Sequence, residues 1–192
     1  LDYLCQHYQP VSIHELFEIV HNNQTTTKPL FHLTFNDGLK ELDTIVAPIL
    51  ERRRIPASIF INTEFVDNKA LFYRYKVSLL IEKLITQNAS RKELSMHLGM
   101  DENDVKGMKA RLLSLNHSDL AEIDAMARLI KYDFEEFLEP HQPYLTKNQI
   151  KNLMNRGFSI GSHSLNHPYF KDIDLRKKSD RYQRAFIISK RN

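Results

Sequence analysis

The stretch Leu30 to Gly38, LFHLTFNDG, decides how the rest of the chain is read. Its apolar and β-branched residues (Leu30, Phe31, Leu33, Thr34, Phe35) predict a strand, and the glycine directly after Asn36 and Asp37 permits a sharp turn into a helix. An acid is thereby held at the C-terminal end of a strand. In parallel α/β architectures ligands and chemistry collect on that rim, which makes Asp37 the first candidate site residue.

A second short apolar strand, Phe158 to Gly161, opens the run FSIGSHSLNHP and leads to His163 and His167. Two imidazoles four residues apart converge on one ion if the segment is a tight loop or a helical turn. With Asp37 they make a two-histidine, one-carboxylate set, which suits Zn²⁺ and neighbouring first-row divalent metals. Three protein ligands leave positions open for water and substrate, the character of a catalytic site. Taken singly, Asp-Gly is an ordinary turn pair and H-x-x-x-H an ordinary polar loop. Their joint occurrence, each after a short strand, favours the site.

These residues carry a resemblance. Thr34-Phe35-Asn36-Asp37-Gly38, the following helix, the strand IPASIFIN (55–62) and His163-Ser164-Leu165-Asn166-His167 together resemble the polysaccharide deacetylase (NodB-homology) domain of carbohydrate esterase family four. The family's first motif is usually TFDDG and its second H-S/T-x-x-H. The resemblance implies an α/β fold, a partial and irregular (β/α) barrel, and metal-dependent hydrolysis of N-acetyl groups on carbohydrate. It implies that Asp37, His163 and His167 hold a divalent metal, Zn²⁺ first among the choices, and that an acetylated polysaccharide is the partner. The family's general base is the first Asp of its motif, and here that position is Asn36, an amide that cannot take a proton.

The resemblance covers Leu30 to Ile61 and about Thr146 to Asn192, roughly the first half of the family domain. The later motifs, an Arg that steadies the base, an aromatic and acid pair and a leaving-group His, have no counterpart after His167. The expectation is one truncated domain over 1–192, impaired as a catalyst, with a catalytically inactive protein that binds metal or glycan as the alternative.

Composition sets wider bounds. A chain of 192 residues with 42% hydrophobic side chains can bury one proper core, and a net charge of +3 with interspersed signs does not call for nucleic acid. The basic segment after Asp174 is the local exception. A single cysteine, Cys5, rules out an internal disulfide framework. No apolar stretch reaches the roughly 18 to 20 residues of a membrane span. The N-terminus lacks the order of a signal peptide, which leaves the cytoplasm as default, although a chain starting at Leu1 is also what export processing leaves.

Along the chain, Ser12 caps a helix with Ile13, Leu16, Phe17 and Val20 at helical spacing, expected to pack on the outside of the barrel. After Gly38, Leu39, Leu42, Ile45, Val46, Ile49 and Leu50 predict an amphipathic helix with Pro48 near its end. Arg52 to Arg54 fall in its last turn, where cations suit the helix dipole. Residues 71–138 show helical periodicity without strands and read as a helical insertion within the domain. Thr146 to Gln149 form a capping-box pattern before another helix, Gly157 ends it, and a final helix is expected from Leu175.

Two features compete for function. Arg91 to Leu115 has the outline of a helix-turn-helix, which would aim Asn103 to Lys109 at DNA, but Asp101, Glu102 and Asp104 sit where phosphate would approach, and a structural hairpin is the better reading. Tyr73, Arg74 and Tyr75 read as helix packing ahead of a sugar cleft. Ser164 reads as a hydroxyl that holds its loop, not a nucleophile. His7, His14, His21, His32, His97, His117 and His141 belong to no motif.

Overall fold

The computed structural model describes residues 1–168, so the helix expected from Leu175 lies outside the described residues. Two compact units are present, one of Leu1–Asn68 and Pro143–Leu165, the other centred on Lys69–Gln142. The fold is α/β with parallel strands, and the barrel is partial.

In the first unit β1 (Gln9–Pro10) pairs in parallel with β2 (Leu30–Phe31), and β3 (Leu33–Phe35), β4 (Ala57–Ile61) and β5 (Ser159–Ser162) form a parallel sheet with β4 in the centre. The run expected as one strand from Leu30 to Phe35 is therefore divided at His32. The imidazole explains the division: Nδ1 donates to the Val11 carbonyl at 2.8 Å, which leaves Nε2 of the neutral ring to accept from the Ser58 hydroxyl at 2.9 Å. His32 thus ties the small sheet to the large one.

Leu42, Leu50, Ile55, Ile59, Ile61, Leu145, Leu153 and Phe158 make the core of this unit. The helix expected from Leu39 to Leu50 begins as a π-helical turn, Leu42–Val46, before continuing as α3 (Ala47–Arg52); α1 and α2 are Asp2–His7 and Ile13–His21. Proline in a regular helix clashes with the carbonyl four residues back, and a turn widened by one residue just before Pro48 relieves this. The Ala47 N–H accordingly donates to the Leu42 carbonyl, five residues back. The extra residue rotates the apolar face, so Leu42, Ala47 and Leu50 are buried while Ile45 is 55% exposed.

Ser12 and Glu15 close a capping box at the start of α2, as the sequence suggests. The expected packing face is only partly covered, with Leu16 and Ile19 half-buried and Phe17 and Val20 exposed. Arg52 lies in the last turn of α3 and Arg53, its C-cap, pairs with Asp2, so this cluster serves a helix end. The helix α9 (Lys147–Asn155) carries the Thr146/Gln149 capping box and is followed by Gly157 at φ +90°.

The second unit contains α4 (Tyr73–Thr86), α5 (Asn88–Leu98), α6 (Val105–Ser114), α7 (Leu120–Leu129) and α8 (Phe134–His141), with no strand among the described residues 69–142. Leu80, Leu84, Leu94, Met108, Leu112, Ile123 and Met126 are wholly buried. Two of these, Met108 and Leu112, belong to α6. Asp104 is spent on its N-cap, accepting from the Gly107 N–H at 2.9 Å. Tyr73 is 2% exposed and packs within its unit.

Candidate metal centre

Three strand ends converge at the C-terminal rim of the sheet. After β3 the backbone takes two successive left-handed residues, Asp37 at φ +70° and Gly38 at φ +66°. A Cβ on Gly38 would stand 3.0 Å from Cγ2 of Ile61 on the neighbouring strand, so the close approach as well as the dihedral requires glycine. Aspartate tolerates the left-handed region better than most residues. The turn is held from outside by the Leu145 N–H on the Gly38 carbonyl (2.9 Å) and the Lys40 N–H on the Pro143 carbonyl (2.8 Å). Asp37 is fixed at the rim, and Asn36 beside it is exposed.

Gly161 of β5 lies under the Phe60 ring, where a Cβ would meet Cδ1 at 2.6 Å. The His163 N–H makes a last ladder bond to the Ile61 carbonyl at 2.8 Å. Ser164 then turns left-handed at φ +81°, its N–H bonded to the Ser162 hydroxyl at 3.2 Å. Beyond it the loop after β5 stays paired with the loop after β4, through Thr63 N–H to the Ser164 carbonyl (3.4 Å) and Glu64 N–H to the Leu165 carbonyl (3.0 Å). His167 is also left-handed, at φ +57°, with its ring 4.8 Å from that of Phe72.

Nε2 of His163 lies 3.8 Å from Oδ1 of Asp37, beyond hydrogen-bond length, and both side chains are about one-third exposed. Asp37 and His163 lie in the first unit and offer a carboxylate oxygen and an imidazole nitrogen at one rim; His167 follows four residues after His163. Two ligands about 2.1 Å from a shared ion stand no more than about 4.2 Å apart, so the Asp37–His163 spacing is one that a single divalent ion can span. One carboxylate and two imidazoles are also the donor chemistry of such an ion. Left-handed non-glycine residues cost about 1–3 kcal/mol each and cluster where function over-determines the backbone. Asp37, Ser164 and His167 are three such residues in the two motifs.

Sequence reasoning passed over Asn62. It directly follows β4, is 1% exposed, and donates from Nδ2 to the His163 carbonyl at 2.7 Å, with the Ser164 hydroxyl at 3.4 Å. The available signal was a polar residue closing an otherwise apolar strand, IPASIFIN, one residue past the last inward-facing isoleucine.

The polysaccharide deacetylase family model matches residues 23–190. A search of curated proteins finds no match. Among solved structures, the chain is similar to Streptococcus pyogenes deacetylase PplD in complex with acetate, with a TM-score of 0.51 and 14% identity. The match covers 94% of this chain and 48% of that one, so the chain spans about half the length of that relative. At this identity the likeness is one of fold.

Proposed function

Because the chain belongs to the polysaccharide deacetylase family, we propose that it is a metal-dependent hydrolase for N-acetyl groups of carbohydrate, weakened at its general base. The observation that carries this reading is the approach of Asp37 and His163 at the C-terminal rim of a parallel sheet, with His167 at the motif's spacing four residues on. These three side chains would hold a divalent ion, Zn²⁺ being the choice their donor types favour. Such an ion, when bound, polarises the acyl carbonyl and makes water acidic enough to attack at neutral pH.

The chain's own residues do the remaining work. Asp37 and His163, set on turns that the sheet fixes, hold their atoms in place without reorganisation. Asn36, exposed one residue before Asp37, can orient a water by hydrogen bonding but cannot accept its proton. Loss of a positioned base lowers rate by about 10²- to 10⁴-fold. That same substitution favours a second reading, in which the site binds metal or acetylated glycan without turnover.

The test is acetate release from a panel of N-acetylated oligosaccharides by protein loaded with Zn²⁺, against chelated protein and the His163→Ala/His167→Ala pair. Release that needs metal and both histidines supports the hydrolase. Retained metal and glycan binding with no release supports the binding protein. Equal metal content in wild type and the double variant would sink both.

A further inference from the structure

We propose that Asn62 is a positioning residue for the start of the His163-x-x-x-His167 loop, setting where the His163 imidazole stands relative to Asp37. This rests on the reading of Asp37, His163 and His167 as a metal-holding set. The left-handed turn at Ser164 takes the chain out of strand register directly after His163. A carbonyl at such a point has lost the neighbouring strand's N–H as a regular partner. Asn62 Nδ2 supplies a donor there at 2.7 Å, reaching 101 residues along the chain, and the Ile61 carbonyl holds the His163 N–H at 2.8 Å. The peptide groups on both sides of the His163 Cα are therefore fixed by Ile61, the last residue of β4, and Asn62, which follows it.

Burial gives this contact its weight. Asn62 is 1% exposed, so its amide N–H makes this contact out of reach of solvent, and its removal leaves a gap on the Asn62 side of the bond. Its Oδ1 has no hydrogen-bond partner among the described residues, which leaves donation as the function the amide performs here. A residue that orients a metal ligand from behind is worth about 10- to 100-fold in metal affinity.

The experiment is a Co²⁺ titration of the purified protein, followed by the visible ligand-field band, with thermal unfolding of the chelated protein alongside. Asn62→Asp keeps the shape and removes the donor; Asn62→Ala removes both. Thr63→Val serves as control, because Thr63 is 5% exposed and its hydroxyl also has no partner among the described residues. Both Asn62 variants should bind Co²⁺ about 10- to 100-fold more weakly, with a displaced band at saturation, while Thr63→Val keeps wild-type affinity and spectrum. If Asn62→Ala does not fold, Asn62→Asp decides. Wild-type affinity and an unshifted band in the Asn62 variants, whatever their melting temperatures, would overturn the proposal. Co²⁺ binding that survives His163→Ala/His167→Ala would instead overturn the metal reading beneath it.

Discussion

At the C-terminal ends of β3 and β5 the chain turns through left-handed residues at Asp37, Gly38 and Ser164, whereas at the opposite ends of β4 and β5 a single guanidinium is saturated by two acids. Arg156 donates to both Glu51 oxygens at 2.7 and 2.9 Å and to Asp43 at 2.7 Å. It sits beside a cavity of about 460 Å³ lined by Ile55, Pro56, Gly157 and Phe158. One end of the sheet presents an acid facing an imidazole at 3.8 Å; the other end, where Arg54 and Gly157 are also left-handed, has its charges paired. Ligand-type side chains gathered half-exposed at the C-terminal rim of a parallel sheet point to chemistry, and charge satisfied by its partners at the other end points to stability. Substitutions at the two ends should therefore separate metal binding from folding.

The largest effect is expected at the ligands. Asp37→Ala or His163→Ala should abolish measurable Zn²⁺ binding in calorimetry, a loss of at least about 100-fold, judged from the size of lesser ligand-supporting changes. Asp37→Ala also places alanine at φ +70°, so part of its effect is on the turn, and His163→Ala gives the cleaner reading. Metal binding that survives in His163→Ala would remove the distinction between the two ends.

Next in size is Asn36→Asp. The motif around Asn36 is otherwise intact, so the substitution changes charge with little change in volume. In a chain extended to carry the family's later motifs it should raise acetate release by about 10²- to 10⁴-fold and add an ionisation to the acidic limb of the pH–rate profile. If the extended Asn36 protein already matches its Asp variant, another group supplies the base.

These two experiments act on residues that the sequence made visible, and the reason is local. Asp37 and His163 each follow a short apolar run, and His167 keeps the motif spacing from His163, so residue order alone carries the signal. The helices of the second unit were legible for a similar reason, since Leu80, Leu84, Ile123 and Met126 fall at helical spacing and are buried as that spacing requires. What stayed hidden depends on partners far along the chain. His32 divides a strand because Val11 and Ser58 lie 21 and 26 residues away, and Asn62 acts on a carbonyl 101 residues distant. The π-helical turn before Pro48 hid for another reason: periodicity assumes 3.6 residues per turn, and one inserted residue exposes Ile45 and Ile49 while burying Ala47.

A third, smaller effect tests whether the strained rim is also a folding determinant. Gly38→Ala forces a Cβ to within 3.0 Å of Ile61 Cγ2 at φ +66°. The expected destabilisation is about 1–3 kcal/mol, read from denaturant midpoints. Because Asp37 is the adjacent residue, Zn²⁺ affinity should fall with it. A destabilised variant with full affinity would show that the turn's geometry and the ligand's position are independent.

The smallest effect belongs to Arg156, and it is a pH dependence. The Arg156 N–H groups bond the ionised Glu51 carboxylate and hold its pKa below the ordinary value of 4.5, while Arg156 itself is pushed up by the same bonds. A carboxyl whose folded pKa is depressed contributes stability that is fully present above its unfolded value and drains as pH falls through the folded one. In wild type the melting temperature should therefore decline as pH drops below about 4.5, in part through this pair. Arg156→Met removes the donor and keeps much of the aliphatic length, so its acid limb should be shallower and the two curves should converge at low pH. Glu51 is well exposed, so the gap at neutral pH should be modest and should shrink in high salt. Zn²⁺ affinity at neutral pH should not change. An Arg156→Met protein that loses affinity in step with its melting temperature would mean that the two ends of the sheet are coupled through β4 and β5.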